Sequence, residues 1–289
     1  MVQAAMMDDK YGSSDCGDTA QAAAVEDGGH ARAASALNDG IALARASHVG
    51  HDVAVRLLLE AGVSPDSRDD SGRAALCLAA GAGHGGAARL LLEARASVET
   101  RDPSGSTPLV LACATGRVDA IRVLLEFGAS LEARGFPVRA IPIAENALGD
   151  DSMGVDSEGS DSETGLRPLA MACHRGHTQA VRLLLAARAE VNVRDADEAP
   201  ALIWAAGRGC AAAVGLLCEA GAELEMCDAS GATALLWAAS EGHATTLSTL
   251  LAMRACLGAR DLEGRSALDW AEAEGHEAII AALAAAGQE

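Results

Sequence analysis

Aromatic side chains are scarce in this sequence, with two Phe, three Trp and one Tyr among 289 residues. Sheet-rich folds lean on aromatic and β-branched residues, so an apolar half dominated by Ala and Leu points instead to closely packed helices. Lysine is scarcer still: Lys10 stands alone among 22 basic residues, against 41 acidic ones. The resulting formal charge of −19 disfavours nucleic acid and anionic membrane surfaces, whose binding needs clustered positive charge. It suits a protein partner that carries a basic patch. No run of 18 apolar residues free of charge occurs, and the start, MVQAAMMDDKYG, lacks the basic and apolar segments of a secretion signal. A soluble, monomeric chain of the cytoplasm or nucleus is expected. The eight cysteines are irregularly spaced in a chain much longer than the small secreted domains that need disulfide staples, so reduced thiols are expected.

Motifs of catalysis are missing as well. The sequence has no Gly-x-Ser-x-Gly elbow, no phosphate-binding glycine loop ending in Lys, and no His-Glu-x-x-His. Neither an enzyme nor a cofactor is expected. Cys173, His174 and His177 have loose metal spacing, but a fourth ligand is missing and Cys173 falls in a small-residue column, so no metal site is expected.

What the sequence does have is a repeat. Gly50, Gly83, Gly116, Gly176, Gly209, Gly242 and Gly275 recur every 33 residues, apart from one interval of 60 after Gly116. Seven residues before each glycine stands Leu, from Leu43 to Leu268; four before it stands Ala, from Ala46 to Ala271. Eight residues after it stands Leu again, from Leu58 to Leu283. These columns place an apolar stripe on each of two short helices, with Ala allowing close approach of the neighbouring unit and the glycine breaking the chain between them. The second helix usually ends in Gly-Ala, where Gly takes the left-handed C-cap conformation. Arg95, Arg188 and Arg254 occupy that place in three units, so positive φ with local strain is expected there. Between units runs a turn with Asp first and Gly fourth, as in Asp69 to Gly72 and Asp261 to Gly264; Glu198 replaces the glycine after Asp195.

Thr107-Pro108-Leu109 and Arg167-Pro168-Leu169, each followed by Ala and then Gly-Arg or Gly-His, resemble the ankyrin-repeat consensus over residues 37–288. The consensus histidine after Pro-Leu is replaced in every unit, by Ala44, Cys77, Val110, Ala170, Ile203, Leu236 and Asp269, which implies softer turns. The resemblance implies an all-α fold: an ankyrin-repeat solenoid of stacked helix-turn-helix units with short β-turn fingers. First helices would line a concave groove that binds a partner protein, the work of an adaptor or scaffold. The alternative is a regulatory subunit that inhibits an enzyme by occluding a basic surface.

The expected organisation is a disordered or frayed cap at 1–36, repeats one to three at 37–134, an acidic disordered insert at 135–164, and repeats four to seven at 165–289. Asp269, Glu272 and Glu274 make the last first-helix polar, as a terminal cap requires. The insert has seven acids and one base, too polar to bury a core, and its Ser157, Ser160 and Ser162 lie among acids as candidate phosphorylation sites. Asn192, with Leu184, Glu190 and Val191, resembles the ankyrin-repeat site of an asparaginyl hydroxylase.

Trp204, Trp237 and Trp270 share the column five before the glycine with Met171, on or beside the groove side. Both a row of binding anchors and packing between repeats fit that position. The family pattern adds finger residues and the two residues before each glycine: Arg73, Ser106, His174, Arg175, Arg208, Ser240, Glu241 and Arg265. Five histidines follow the glycine, a periodicity that argues for a structural role.

Overall fold

The computed structural model describes residues 38–135, 165–195 and 197–286. The expectations for 1–36, for most of the insert and for its three serines lie outside these residues. Among the described residues fourteen helices form successive antiparallel pairs. They are α1 (38–49), α2 (Asp52–Glu60), α3 (Ala75–Ala82), α4 (Gly85–Glu93), α5 (Pro108–Ala114), α6 (Val118–Glu126) and α7 (Pro168–His174). The second half continues with α8 (Thr178–Ala186), α9 (Ala201–Gly207), α10 (Ala211–Glu219), α11 (Ala234–Ser240), α12 (Ala244–Ala252), α13 (Ala267–Ala273) and α14 (Glu277–Ala286). From α3 onward each odd-numbered helix packs against the next, and from α2 onward each even-numbered helix does the same, giving two layers. The architecture is all-α, with single antiparallel bridges such as Arg68–Ala74 and Arg260–Ser266 at the base of the fingers.

The two layers differ because the columns differ. All seven residues of α5 and of α7 are buried, and Ala at every fourth-before-glycine position is what lets the flanking helices come so near. The even-numbered helices are amphipathic and bury only a stripe: Leu91, Leu124, Leu184, Leu217 and Leu250 are each 0 % exposed. Pro108 and Pro168 open α5 and α7 at the position where a missing N–H costs nothing. In α13 the replacement of the consensus histidine by Asp269 produces a capping box with Ser266, each accepting from the other's backbone N–H. Glu272 on the same helix and Glu274 at its C-cap are exposed, and Leu268, unlike its buried counterparts, is 40 % exposed where no described pair covers it.

The glycine column is explained by the residue after it in the next pair. At Gly116 φ is +67°, and a Cβ there would lie 2.6 Å from Nδ1 of His177. The His177 ring fills this space and its Nε2–H donates to the Ala114 carbonyl at 3.2 Å. His243 and His276 repeat the arrangement onto the Gly207 and Ser240 carbonyls, so these three of the five periodic histidines are inter-repeat clamps. The His177 clamp spans the long interval and joins the end of α5 to the turn between α7 and α8. At the other end of α5 Gly135 N donates to the Leu166 carbonyl at 3.1 Å and Arg167 pairs with Glu132, so the chain leaves and re-enters the stack at one point.

Arg95, Arg188 and Arg254 have φ of 67°, 65° and 68°, as expected, and Glu198 joins them at 57°. The backbone N–H groups of the three arginines make the same bonds as the glycines they replace; Arg188 N donates to Leu185 O just as Gly62 N does to Leu59 O. The helix end therefore closes at the cost of a left-handed non-glycine residue. Arg188→Gly removes that cost but loosens the unfolded chain, for a net gain of about 0.5–1 kcal/mol. The check is the urea midpoint, which rises; an unchanged or lower midpoint contradicts the strain.

Candidate functional site

Each finger is built around one carboxylate. Oδ1 of Asp69, Asp195, Asp228 and Asp261 accepts from the backbone N–H groups two and four residues on, closing the turn within itself. This Asx geometry supplies a polar closure although the consensus histidine is missing. Oδ2 is left for a side chain, and its partner divides the stack. In the second unit it takes Arg73 Nε at 2.9 Å. In the last three units it takes an indole: Trp204 Nε1 donates to Asp195 at 2.6 Å, Trp237 to Asp228 at 2.7 Å and Trp270 to Asp261 at 3.1 Å. Burial pushes the Asp195 carboxyl up, against the indole and backbone bonds that favour its anion.

The tryptophan column accordingly has a double character. Leu78, Leu111 and Met171 in the same column are buried, and Met171 is 0 % exposed. Met171 is thus not a surface contact, contrary to expectation, because α7 is sandwiched between α5 and α9 and its side chain ends inside that contact. The indoles are wider and remain half-buried, with their N–H groups already satisfied. What they present is an apolar ring face with the polar handle turned inward to the finger. Arg265 lies over the Trp270 ring at 3.9 Å while its Nε bonds Asp261, a cation–π stack locked by an ion pair.

Of the other expected contact residues, Arg208 and Glu241 are exposed, and Arg73, Arg175, Ser240 and Arg265 are half-buried. Ser106 is a correction: it is 0 % exposed, its backbone N–H held by Asp102 and its hydroxyl 3.2 Å from that of Ser104. His174, only 8 % exposed, sits edge-on to Trp204 with ring centroids 5.0 Å apart, and its Nε2 accepts from Arg208 Nη2 at 3.1 Å. Cys173 beneath it is fully buried, and burial pushes its thiol up, as it does for the equally buried Cys113.

Burial, then Arg208 and Arg175, hold His174 down at about 3, against an ordinary 6.5. The unfolded chain protonates this imidazole near 6.5, so between the two values the unfolded state binds more protons. The contribution is fully present above pH 6.5 and falls as pH drops toward 3. At pH 5 the loss from this residue is about 2 kcal/mol. Urea titrations at pH 7.5 and 5 measure it, and His174→Gln flattens the slope; an equal slope in both chains would assign the acid sensitivity elsewhere.

Two ladders escaped the sequence reading. Arg68, Arg101 and Arg194 each donate through Nη1 to the carbonyl four residues on in their own finger and to a carbonyl 33 residues on in the next. Arg260 makes the first of these bonds. The signal was present, since these arginines and Arg134 stand 18 residues after the glycine in their units. The second ladder runs from Asp66, Glu99, Asn192 and Glu225, each accepting from a backbone N–H 31 residues on. Asn192 also donates to the Gly221 carbonyl at 3.1 Å, so an enzyme acting on this side chain must first break both bonds. At the other end of the stack, where Arg45 and Leu78 stand in the tryptophan column, a cleft of about 320 Å³ opens between His48, Asp69, Asp70 and Arg73.

Two layers of short helices with fingers along one edge define a repeat solenoid, in which each unit is held chiefly by its neighbours. The family model described as ankyrin repeats (3 copies) matches residues 2–102, 42–134, 142–228 and 220–289. The chain belongs to the ankyrin-repeat family. It is similar to the crystal structure of the human ASB11 ankyrin repeat domain, with a TM-score of 0.68 and 26% identity, over 84% of this chain and 96% of that one. No curated protein matches. Ankyrin repeats generally mediate protein–protein interaction. Among the described residues no helix is long and apolar enough to cross a membrane.

Proposed function

We propose that this stack is a protein-interaction module, an adaptor or scaffold that holds a partner protein along the fingers and first helices of its C-terminal half. The observation that carries this reading is the row formed by Trp204, Trp237 and Trp270, three rings one repeat apart whose N–H groups need no further partner. Half-exposed indoles fixed at both ends are pre-ordered contact area, so a partner that covers them gains burial with little loss of side-chain freedom. The net charge of −19 selects a partner whose facing surface is mainly basic. Glu241, exposed beside Trp237 at the end of α11, is placed to meet that surface.

The indole clips also give Trp237 a share in stability, so two variants are needed to separate the roles. Glu241→Arg alters only an exposed side chain, whereas Trp237→Ala removes ring and clip together. After affinity capture has identified a partner, its binding to Glu241→Arg is expected to weaken at least tenfold with the urea midpoint unchanged. Trp237→Ala is expected to lose both binding and some stability, and Trp237→Phe to retain binding. Unimpaired binding by folded Glu241→Arg and Trp237→Ala would refute the surface assigned here.

A further inference from the structure

The finger of the last unit shows what fits against an indole clip. Oδ2 of Asp261 accepts from two side chains at once, Trp270 Nε1 at 3.1 Å and Arg265 Nε at 2.8 Å, and the Arg265 guanidinium lies 3.9 Å over the Trp270 ring. Beneath this cover Asp261 is 7 % exposed. The second unit repeats the arginine's part without an indole: Arg73, in the same column, donates through Nε to Asp69 Oδ2 at 2.9 Å. The sixth unit has the clip, with Trp237 Nε1 donating to Asp228 Oδ2 at 2.7 Å, but Ala232 stands where Arg265 does, ten residues before the glycine. The backbone is held alike at the two places. Ala232 N and Arg265 N each donate to Oδ1 of their finger aspartate, at 3.0 and 2.9 Å, and each aspartate N donates back to the carbonyl of that residue. The Ala232 methyl group therefore ends where the Arg265 side chain goes on, and the sixth finger supplies nothing to cover the ring and carboxylate that Arg265 covers in the last. Asp228 is correspondingly half-buried and, among the described residues, forms no ion pair.

We propose that Trp237 and Asp228 bind an arginine side chain of the partner polypeptide, its guanidinium lying over the indole ring and donating to Asp228 Oδ2 as Arg265 does on Trp270 and Asp261. This deepens the interaction-module reading and rests on it. Arginine suits the place better than lysine, because a planar guanidinium stacks flat on a ring while its N–H groups donate within their own plane to a carboxylate. The acidic field of the chain draws such a cation in. Glu263 also pairs with Arg265, at 3.1 Å, and Ser230 stands in its place, so the sixth finger offers one carboxylate where the last offers two. Trp204 and Asp195 repeat the clip one unit earlier, but His174 stands edge-on to that ring and holds Arg208, so a cation of the chain itself already adjoins it. The open place is thus the one at Trp237.

The test uses the full chain, labelled with nitrogen-15, and follows the three indole N–H signals by NMR at constant ionic strength. The probes are the blocked peptide acetyl-Gly-Arg-Gly-amide and its Lys and citrulline counterparts. The Arg peptide is expected to shift the Trp237 signal saturably and to leave Trp270 unmoved, since Arg265 already fills that place. The Lys peptide is expected to bind more weakly and the uncharged citrulline peptide not at all. Two variants, checked for folding by their urea midpoints, exchange the two places. Ala232→Arg supplies the sixth finger with its own guanidinium and is expected to silence Trp237, and Arg265→Ala uncovers the last clip, so that Trp270 begins to respond. No saturable shift at Trp237, equal binding of the Lys or citrulline peptide, or a silent Trp270 in folded Arg265→Ala would each overturn the proposal. A captured partner that binds folded Ala232→Arg as tightly as the unaltered chain, yet is lost by Glu241→Arg, would reject the arginine site and leave the interaction module standing.

Discussion

Gly116→Ala is expected to destabilise the stack by about 2–4 kcal/mol, whereas Gly128→Ala costs only about 1 kcal/mol. The two glycines have nearly the same backbone conformation, with φ of +67° and +78°. They differ in what a methyl group would meet: nothing within 4 Å at Gly128, but the His177 ring at 2.6 Å at Gly116. The left-handed conformation therefore accounts for the smaller loss and overpacking for the difference. The ring cannot simply swing aside, because its Nε2–H bond to Ala114 ties the end of α5 to the turn between α7 and α8, across the junction that the insert interrupts in sequence. Urea unfolding followed by helical ellipticity measures both variants. In the double variant Gly116→Ala/His177→Ala the clash disappears, so its loss is smaller than the sum of the single losses. Equal losses at the two glycines would show that His177 yields freely and is no clamp. Because this junction links residues 38–135 to 165–286, Gly116→Ala is also expected to broaden or split the unfolding transition.

Leu184→Ala is expected to cost about 3–5 kcal/mol, the range for a large cavity in a core that relaxes only in part. Leu184 is 0 % exposed on α8, which packs against both α6 and α10, so the void opens into the middle of the outer layer. Leu58 occupies the same column in the first described pair but is only half-buried, and Leu58→Ala is expected to cost about 1–2 kcal/mol. Identical chemistry in one repeat column thus yields different losses according to how many neighbours close over it. Hydrogen exchange locates the effect: protection falls in α6, α8 and α10 first and is retained in α14. Uniform loss of protection along the chain would mean that the stack opens only as a whole.

The repeat columns were legible because every unit answers the same steric demands. Leu at seven before and eight after the glycine must fill a core, and the finger aspartate must close a turn; both can be read without knowing what lies next door. The strain at Arg188 was legible for the same reason, since a helix end that needs positive φ needs it whatever residue stands there. Partners across repeats were harder. The Arg68–Arg101 link spans 33 residues and ends on a backbone carbonyl, which has no side-chain signature to align. The Trp237–Asp228 clip spans nine residues from turn to helix, a separation that belongs to neither helical nor strand periodicity.

Met171 and Ser106 mark the limit most clearly. In α7 every residue is buried, so helical phase does not distinguish a side chain facing the groove from one facing the next helix. Sequence by itself determined the unit, its period, its left-handed positions and its acidic field, because these follow from local backbone sterics and composition repeated along the chain. Only the tertiary structure decided which polar groups are already satisfied and which rings stay half-exposed. Those depend on the distance between successive units, and that distance is set by packing a whole repeat against its neighbour.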